Sequence, residues 1–447
     1  MAEDDAVATG RGSARATTSE TAPIATDAVL EFMLRLGQAY IACGEQTAQV
    51  ELLLRRTASA YGMRKSRVVA FPTAIFITLD DGTGERVTLA EGPRQTLRLD
   101  QIAEVYTLGG LAQRAAVTPH DGLEQLTAIL RRVARFGPVG TVAGHAVLTI
   151  GLAMVLMPTV ANLAAAGVLG TIVGGIKLFD RDRATLAVPM PVIVATLVST
   201  LTFLAVERGI LVDPIYVLVP PLVTFLPGAM LTFGMVELAY GDMVSGSSRL
   251  ITGLVQLVLL AFGLAAGALL VGYTPDALLE GAVTYAPPAW SPWVGAVLFG
   301  VGVYVHFSAP PGSLGWLLLV LLLALAAQRL AAHAFDSEIS GFFGTLVATP
   351  LAYLIQLRLG GPPATVTFLP SFWLLVPGAL GLLSVTRMLS DRTGGIDDLI
   401  TALFAIASIA LGTLVGASLY KWLTERFGWW RLQIGRVGSY VRRRRRN

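Results

Sequence analysis

The sequence predicts a polytopic α-helical membrane protein: ten transmembrane helices, set as two inverted five-helix repeats, behind a small N-terminal cytoplasmic α+β domain. Composition is the first reason. Of the 447 residues 54% are hydrophobic and only 14% charged, where soluble domains carry about 25% charged residues. The second is uneven charge, because more than half of the acidic side chains precede residue 137 and long apolar runs follow it. The third is a repeated pattern, Pro220-x6-Pro227-Gly228-Ala229 and Pro370-x6-Pro377-Gly378-Ala379. Each copy lies in an apolar stretch long enough to span a bilayer. A proline inside a helix cannot donate the backbone hydrogen bond that continuity requires, so both stretches are expected to be broken spans.

Residues 1–26 hold almost nothing large and apolar and read as a disordered tail. No basic stretch followed by an apolar one precedes residue 137, so no cleaved signal is expected. The domain over 27–137 begins with two amphipathic helices, through Val29, Phe32, Met33, Leu36 and Tyr40 and then Val50, Leu53 and Leu54, split near Gly44. Period-two alternation then predicts strands over 68–79, 86–90 and 96–99, with Asp80-Asp81-Gly82 as the first hairpin turn. Helices over 100–116 and 118–136 lead into the membrane, the second capped by Thr118 with Pro119 at its first position. His120 beside Asp121 reads as a surface pair, since a metal site needs more ligands. Cys43 is the single cysteine, which excludes an intramolecular disulfide.

At about 20 residues per span, the remainder divides into 138–157, 160–178, 184–206, 213–240, 249–273, 290–307, 314–334, 338–357, 365–388 and 396–422. The first repeat is therefore 138–273, an external linker 274–289, the second repeat 290–422 and a basic tail 423–447. Arg131, Arg132, Arg135, Lys177, Arg249, Arg358 and the run Arg442 to Arg446 all fall on one side, the cytoplasmic one by the positive-inside rule. Arg208, Arg387 and Arg392 are exceptions. Both termini are expected inside the cell, with the chain in the plasma membrane of a bacterium. The net charge of +3 lies largely in the terminal run, which suits anionic lipid and gives no reason to expect nucleic acid.

Five spans per half is an odd number, so the halves should be inverted, and broken helices at matched positions of such repeats point to a binding site near the midplane. The substrate-binding candidates are Pro220, Pro221, Thr224, Pro227 and Gly228, with Pro370, Ser371, Pro377 and Gly378 in the second copy. A half-helix N-terminus can hold a carboxylate and freed carbonyls an ammonium, with no formal protein charge buried. Thr224 and Ser371 could add hydroxyls, although a hydroxyl bonds back to its own helix as readily. Candidates for ion coupling are His145, Glu237 and Asp242. His145 is the deepest titratable group, about 10 Å inside the first span; a packed histidine bonded to a neighbouring helix is the blander reading. Glu237 lies ten residues past Pro227, about 15 Å, so a solvated helix end is expected there. Gly167, Gly170, Gly174 and Gly175 read as close helix packing. No nucleotide-binding Gly-x4-Gly-Lys-Ser/Thr loop and no nucleophile, base and acid spacing occurs. No cofactor, metal site or catalytic residue is expected.

Gly37-Gln38, Gly44-Glu45-Gln46-Thr47, Val50-Glu51 and above all Phe71-Pro72-Thr73-Ala74-Ile75-Phe76, in a head before ten spans, resemble the threonine/serine exporter family over nearly everything after residue 27. The chain departs from that pattern at Gln49, where many relatives carry a basic residue before the Val-Glu pair. The resemblance implies export of threonine, serine or a similar small polar metabolite by proton antiport. It leaves dicarboxylate (succinate-like) export as an alternative, because some two-subunit relatives are associated with it. It transfers no catalytic residue. A membrane-anchored hydrolase is the rival class, yet ten spans exceed what an anchor needs and the head shows no recognisable site. A channel would need a polar pore lining that this sequence lacks. The expected partners are a small-molecule substrate and the lipid bilayer, and the sequence leaves a homo-oligomer open.

Overall fold

A computed structural model describes residues 26–63, 65–80, 84–92, 96–180, 189–211, 214–274, 287–335, 337–375, 377–388 and 391–426. The N-terminal head packs two helices, α1 (Thr26–Ala42) and α2 (Thr47–Ala60), on one face of an antiparallel sheet in the order β1 (Lys65–Phe71), β2 (Ala74–Asp80), β3 (Glu85–Glu91). Two further helices follow, α3 (Leu99–Ala112) and α4 (Pro119–Arg131). Alternation along β2 buries Ile75, Ile77 and Leu79 under Phe32, Met33 and Leu36 of α1. Gly37 permits that approach, since a Cβ there would come within 2.8 Å of Leu54 and 2.9 Å of Ile75. Gly44 separates the first two helices with a positive φ of 79°. The Thr118 hydroxyl accepts the Asp121 N–H at 3.1 Å, the cap expected for α4.

The strand expectations need two corrections. Residues 68–79 are not one strand: Phe71 pairs with Ala74 and the chain reverses at Pro72-Thr73, where a residue without an N–H is tolerated. Of the expected turn at Asp80-Asp81-Gly82, residues 81–83 lie outside the described residues, and Asp80 pairs with Glu85 beyond it. Residues 96–99 form no strand. Leu97 donates to Ala42 O and Leu99 to Phe307 O, both at 3.1 Å, so this segment uses its N–H groups to tie α1 and the membrane body together.

The body comprises α5 (Gly137–Leu156), α6 (Val160–Asp180), α7 (Met190–Glu207), α8 (Ile215–Leu222), a 3₁₀ turn (Val223–Phe225), α9 (Gly228–Ala239), α10 (Met243–Leu270), α11 (Ser291–His306), α12 (Leu314–Ala334), α13 (Ser337–Leu357), α14 (Ala364–Leu375), α15 (Pro377–Arg387) and α16 (Arg392–Arg426). Among the described residues eight spans are long and apolar enough to cross a membrane, α14 and α15 together forming one; α8 and α9, bent by 60°, make a ninth. The apolar α11 is shorter, at 16 residues. This is a polytopic helical membrane protein. The helix expected from 249 starts at Met243, because Asp242 accepts the Ser245 N–H at 3.4 Å and so caps it earlier. The expected tails lie outside the described residues except for Thr26, which opens α1, and 423–426, which extend α16 beyond the expected end at 422; most of the expected linker over 274–289 lies outside them too. Arg387, an exception to the charge bias, is paired with Asp398 at 3.0 Å and Asp391 at 3.5 Å.

Helix packing fixes where the site can lie. α5 and α11 approach backbone to backbone, Gly144 so closely that a Cβ would stand 2.5 Å from the His306 nitrogen. The glycines of α6 pack on α5, Gly170 against Thr149 and Gly174 against His145. α7 packs on α10 with Ser199 Oγ donating to Leu264 O at 2.6 Å, and α13 packs on α16 with Thr345 Oγ1 donating to Ile409 O at 2.9 Å. Three residues beyond each acceptor stands a glycine, Gly267 or Gly412, facing the same hydroxyl residue.

Candidate functional site

The break in the fourth span follows from Pro227. Without an N–H it leaves the Val223 carbonyl to accept from Leu226 at 3.3 Å in a 3₁₀ turn, and α9 restarts at Gly228 with Leu231 donating to Pro227 O at 2.9 Å. Pro220, Pro221, Pro227 and Gly228 are all buried. The Phe225 carbonyl accepts from Gln256 Nε2 of α10 at 2.6 Å, so a side chain supplies the partner that the helix cannot. Lys177 of α6 holds its ammonium 4.9 Å above the Phe225 ring centroid.

His145 is fully buried, with Nδ1 2.9 Å from Gly170 O and Nε2 3.3 Å from the Thr224 hydroxyl. A carbonyl only accepts, so Nδ1 carries the proton and the Nε2 lone pair takes the Thr224 O–H. The packed histidine expected from sequence is therefore bonded to the broken helix as well as to its neighbour. The His306 ring lies 4.9 Å away, its Nδ1 2.8 Å from Thr141 O. Nothing in the sequence separation of His145, Thr224 and His306 signals their meeting.

The second proline pattern behaves differently. Pro370 sits inside α14 as Pro220 sits inside α8, and α14 gives way to α15 at Pro377; among the described residues the α8–α9 pair alone bends by more than 40°. Two similarly broken helices were expected; a proline in a membrane helix is tolerated where neighbouring groups take up the freed carbonyl. Position 376 and the side chains of Pro377 and Gly378 lie outside the described residues. Ser371 is 1% exposed and its hydroxyl has no hydrogen-bond partner among the described residues. α9 packs on this span, Phe233 against Phe372 with ring centroids 5.5 Å apart, so the two proline segments are neighbours.

Glu237 corrects the expectation of a solvated helix end, because it is 2% exposed. Helix α2 of the head has no side-chain cap of its own at Gln46. Instead Glu237 Oε1 accepts the Thr47 N–H at 3.1 Å, and the Thr47 hydroxyl donates to Asp242. Arg249 faces Glu237 with Nε 3.0 Å from Oε2 and donates from Nη2 to the Glu45 carbonyl at 2.8 Å. A carboxylate of the body thus stands at the positive end of a head helix. Burial pushes the Glu45 carboxyl up to about 7, against the lowering effects of the Gln46 N–H and Arg249. Cys43, two residues before it, is buried, and that burial raises its thiol.

The other motif residues hold the head together. Glu51 Oε1 accepts the Ala70 N–H at 3.0 Å, and Gln38 Nε2 donates to Glu91 O at 2.8 Å. Gln49 is exposed. His120, Asp121 and Glu124 converge closely enough to consider a metal, but all three are exposed; His120 lies on the surface as expected, with Glu124 at 3.8 Å rather than Asp121 as its ion-pair partner.

A family model for threonine/serine exporters matches residues 31–271. The chain is similar to a Mycobacterium tuberculosis protein named "Probable threonine/serine exporter", with 25% identity over 443 residues covering 93% of this chain and 80% of the relative. No solved structure matches.

Proposed function

The chain belongs to the threonine/serine exporter family, and from that premise we propose that it is a proton-coupled secondary exporter of threonine and serine in a bacterial plasma membrane. The family is one of transporters, which removes the hydrolase reading of the head. The observation that carries the site is the break at Thr224 to Gly228, where His145, Thr224 and Gln256 bring polar side chains to an unwound backbone inside an otherwise apolar body. Irregular backbone at membrane depth is tolerated where it lines a cavity or is buried in protein, and transporters use such places for substrate. The amino acid's carboxylate would take the first N–H groups of α9, and its ammonium the Thr224 oxygen. Ser371, buried on the adjacent span and without a hydrogen-bond partner among the described residues, would supply a second hydroxyl.

In this reading α11 is the tenth span, and two inverted five-helix halves, 138–273 and 290–422, rock against each other. The matched bonds of α7 to α10 and α13 to α16 support the repeat: Ser199, Leu264 and Gly267 correspond to Thr345, Ile409 and Gly412. That register differs by about one helical turn from the one in which Arg249 matches Asp398. The head then lies in the cytoplasm with both termini, docked on the inner ends of α9 and α10. We assign Glu237 and Asp242 to this docking, which leaves His145 for coupling.

Proteoliposomes loaded with labelled threonine or succinate test the proposal. Threonine efflux stimulated by an imposed pH gradient is expected. Efflux of succinate alone would move the chain to the dicarboxylate alternative, and movement of neither would overturn the exporter reading.

A further inference from the structure

The contact between His145 and Thr224 has two states of opposite polarity. Because Gly170 O can only accept, Nδ1 keeps its proton, and a second proton can enter only at Nε2. With Nε2 bare, Thr224 donates its O–H to the ring and keeps its oxygen lone pairs for another donor. With Nε2 protonated, the ring donates instead, one of the two lone pairs of the Thr224 oxygen is taken, and a full positive charge stands at the break. Lys177 from α6 and His306 from α11 also face His145, both basic. The facing turn, Val223–Phe225, contributes no acid or base. None of these neighbours is a carboxylate that would offset the added charge.

Resting on the exporter reading above, we propose that His145 is the positioning residue that makes a proton and an ammonium-bearing substrate mutually exclusive at the break, its charge being read out through Thr224. Protonation halves the acceptor capacity that Thr224 offers an ammonium and, above all, repels the cation from the same place. Release of the proton restores both that capacity and the neutral surroundings. That exclusion is the condition for antiport, and it selects the substrate class: amino acids with a free ammonium compete with the proton, while a dicarboxylate does not.

The test is threonine binding to the purified full chain in lipid nanodiscs over a range of pH, by calorimetry in buffers of differing ionisation enthalpy. Wild type should weaken about tenfold per pH unit on the acid side and release about one proton per threonine bound. His145→Gln should bind with an affinity that no longer changes with pH and release no proton. His306→Gln and Thr224→Ser should keep the slope, and Thr224→Val should lose it. Absence of proton release by wild type needs no variant and overturns the inference even if His145→Gln does not fold. Threonine binding without proton release, a slope that survives His145→Gln, or a slope abolished by His306→Gln would each overturn the inference alone. Failure of wild type to bind threonine or serine at any pH would overturn the exporter reading and this inference with it.

Discussion

Glu237→Gln keeps an oxygen for the Thr47 N–H but removes the charge that faces Arg249 and the positive end of α2. A hydrogen bond to a charged group is worth about 1.5–3 kcal/mol, so the head should dock roughly tenfold or more weakly. Cys43 is the only thiol in the chain and lies beside this loop, so its alkylation rate in the purified protein reads the change. Glu45 gives the docking a pH dependence. Its carboxyl binds a proton more tightly docked than free, so docking is strongest below the ordinary carboxylate range and weakens as pH climbs toward about 7. Cys43 labelling, corrected for thiolate fraction, should rise with pH more steeply in wild type than in Glu45→Gln. Single side chains were legible where their partners are near in sequence, as with the Thr118 cap. Glu237 was not, because its partner lies 190 residues away and a charge at a helix end has no local sign of what covers it.

Among elements, the bent fourth span yields the sharpest contrast between stability and activity. A proline in a helix interior costs about 3 kcal/mol, so Pro227→Ala should let the Val223 carbonyl regain a helical partner and raise or preserve thermal stability. Transport in proteoliposomes should nevertheless fall about tenfold or more, because the binding geometry near Thr224 is lost. Gln256→Leu should do the opposite to stability, leaving the buried Phe225 carbonyl unpaired at a cost of about 1–3 kcal/mol, measurable as a lowered midpoint of thermal unfolding. Most helices could be read from apolar length alone, and the first break from Pro227. The second copy repeats the first in part: Pro370 lies inside α14 as Pro220 lies inside α8, and α14 ends at Leu375 with α15 starting at Pro377, the position between them lying outside the described residues. The hairpin misled, because alternation continues through Pro72-Thr73 while the chain turns back.

At the scale of the molecule, α5 packs along α11, and their backbones meet at Gly151 and Gly302. Gly302→Ala places a methyl against the Leu148 backbone and should cost about 1–3 kcal/mol, seen as a lower unfolding midpoint. Gly175→Ala, with open space around it, should change little and serves as the control. That contact was not legible in the sequence, because glycines mark close packing without naming the partner helix. The cap on α2 has a consequence in time. The ribosome delivers the head first, yet the carboxylate that completes it arrives 190 residues later, roughly 10–40 s at 5–20 residues per second. Until the fourth span is threaded into the bilayer, the emerging N-terminal module carries an unfinished helix end. A chain whose insertion stalls before that point therefore keeps the first turn of α2 without that acceptor, and limited proteolysis is expected to cut there faster than in the complete chain.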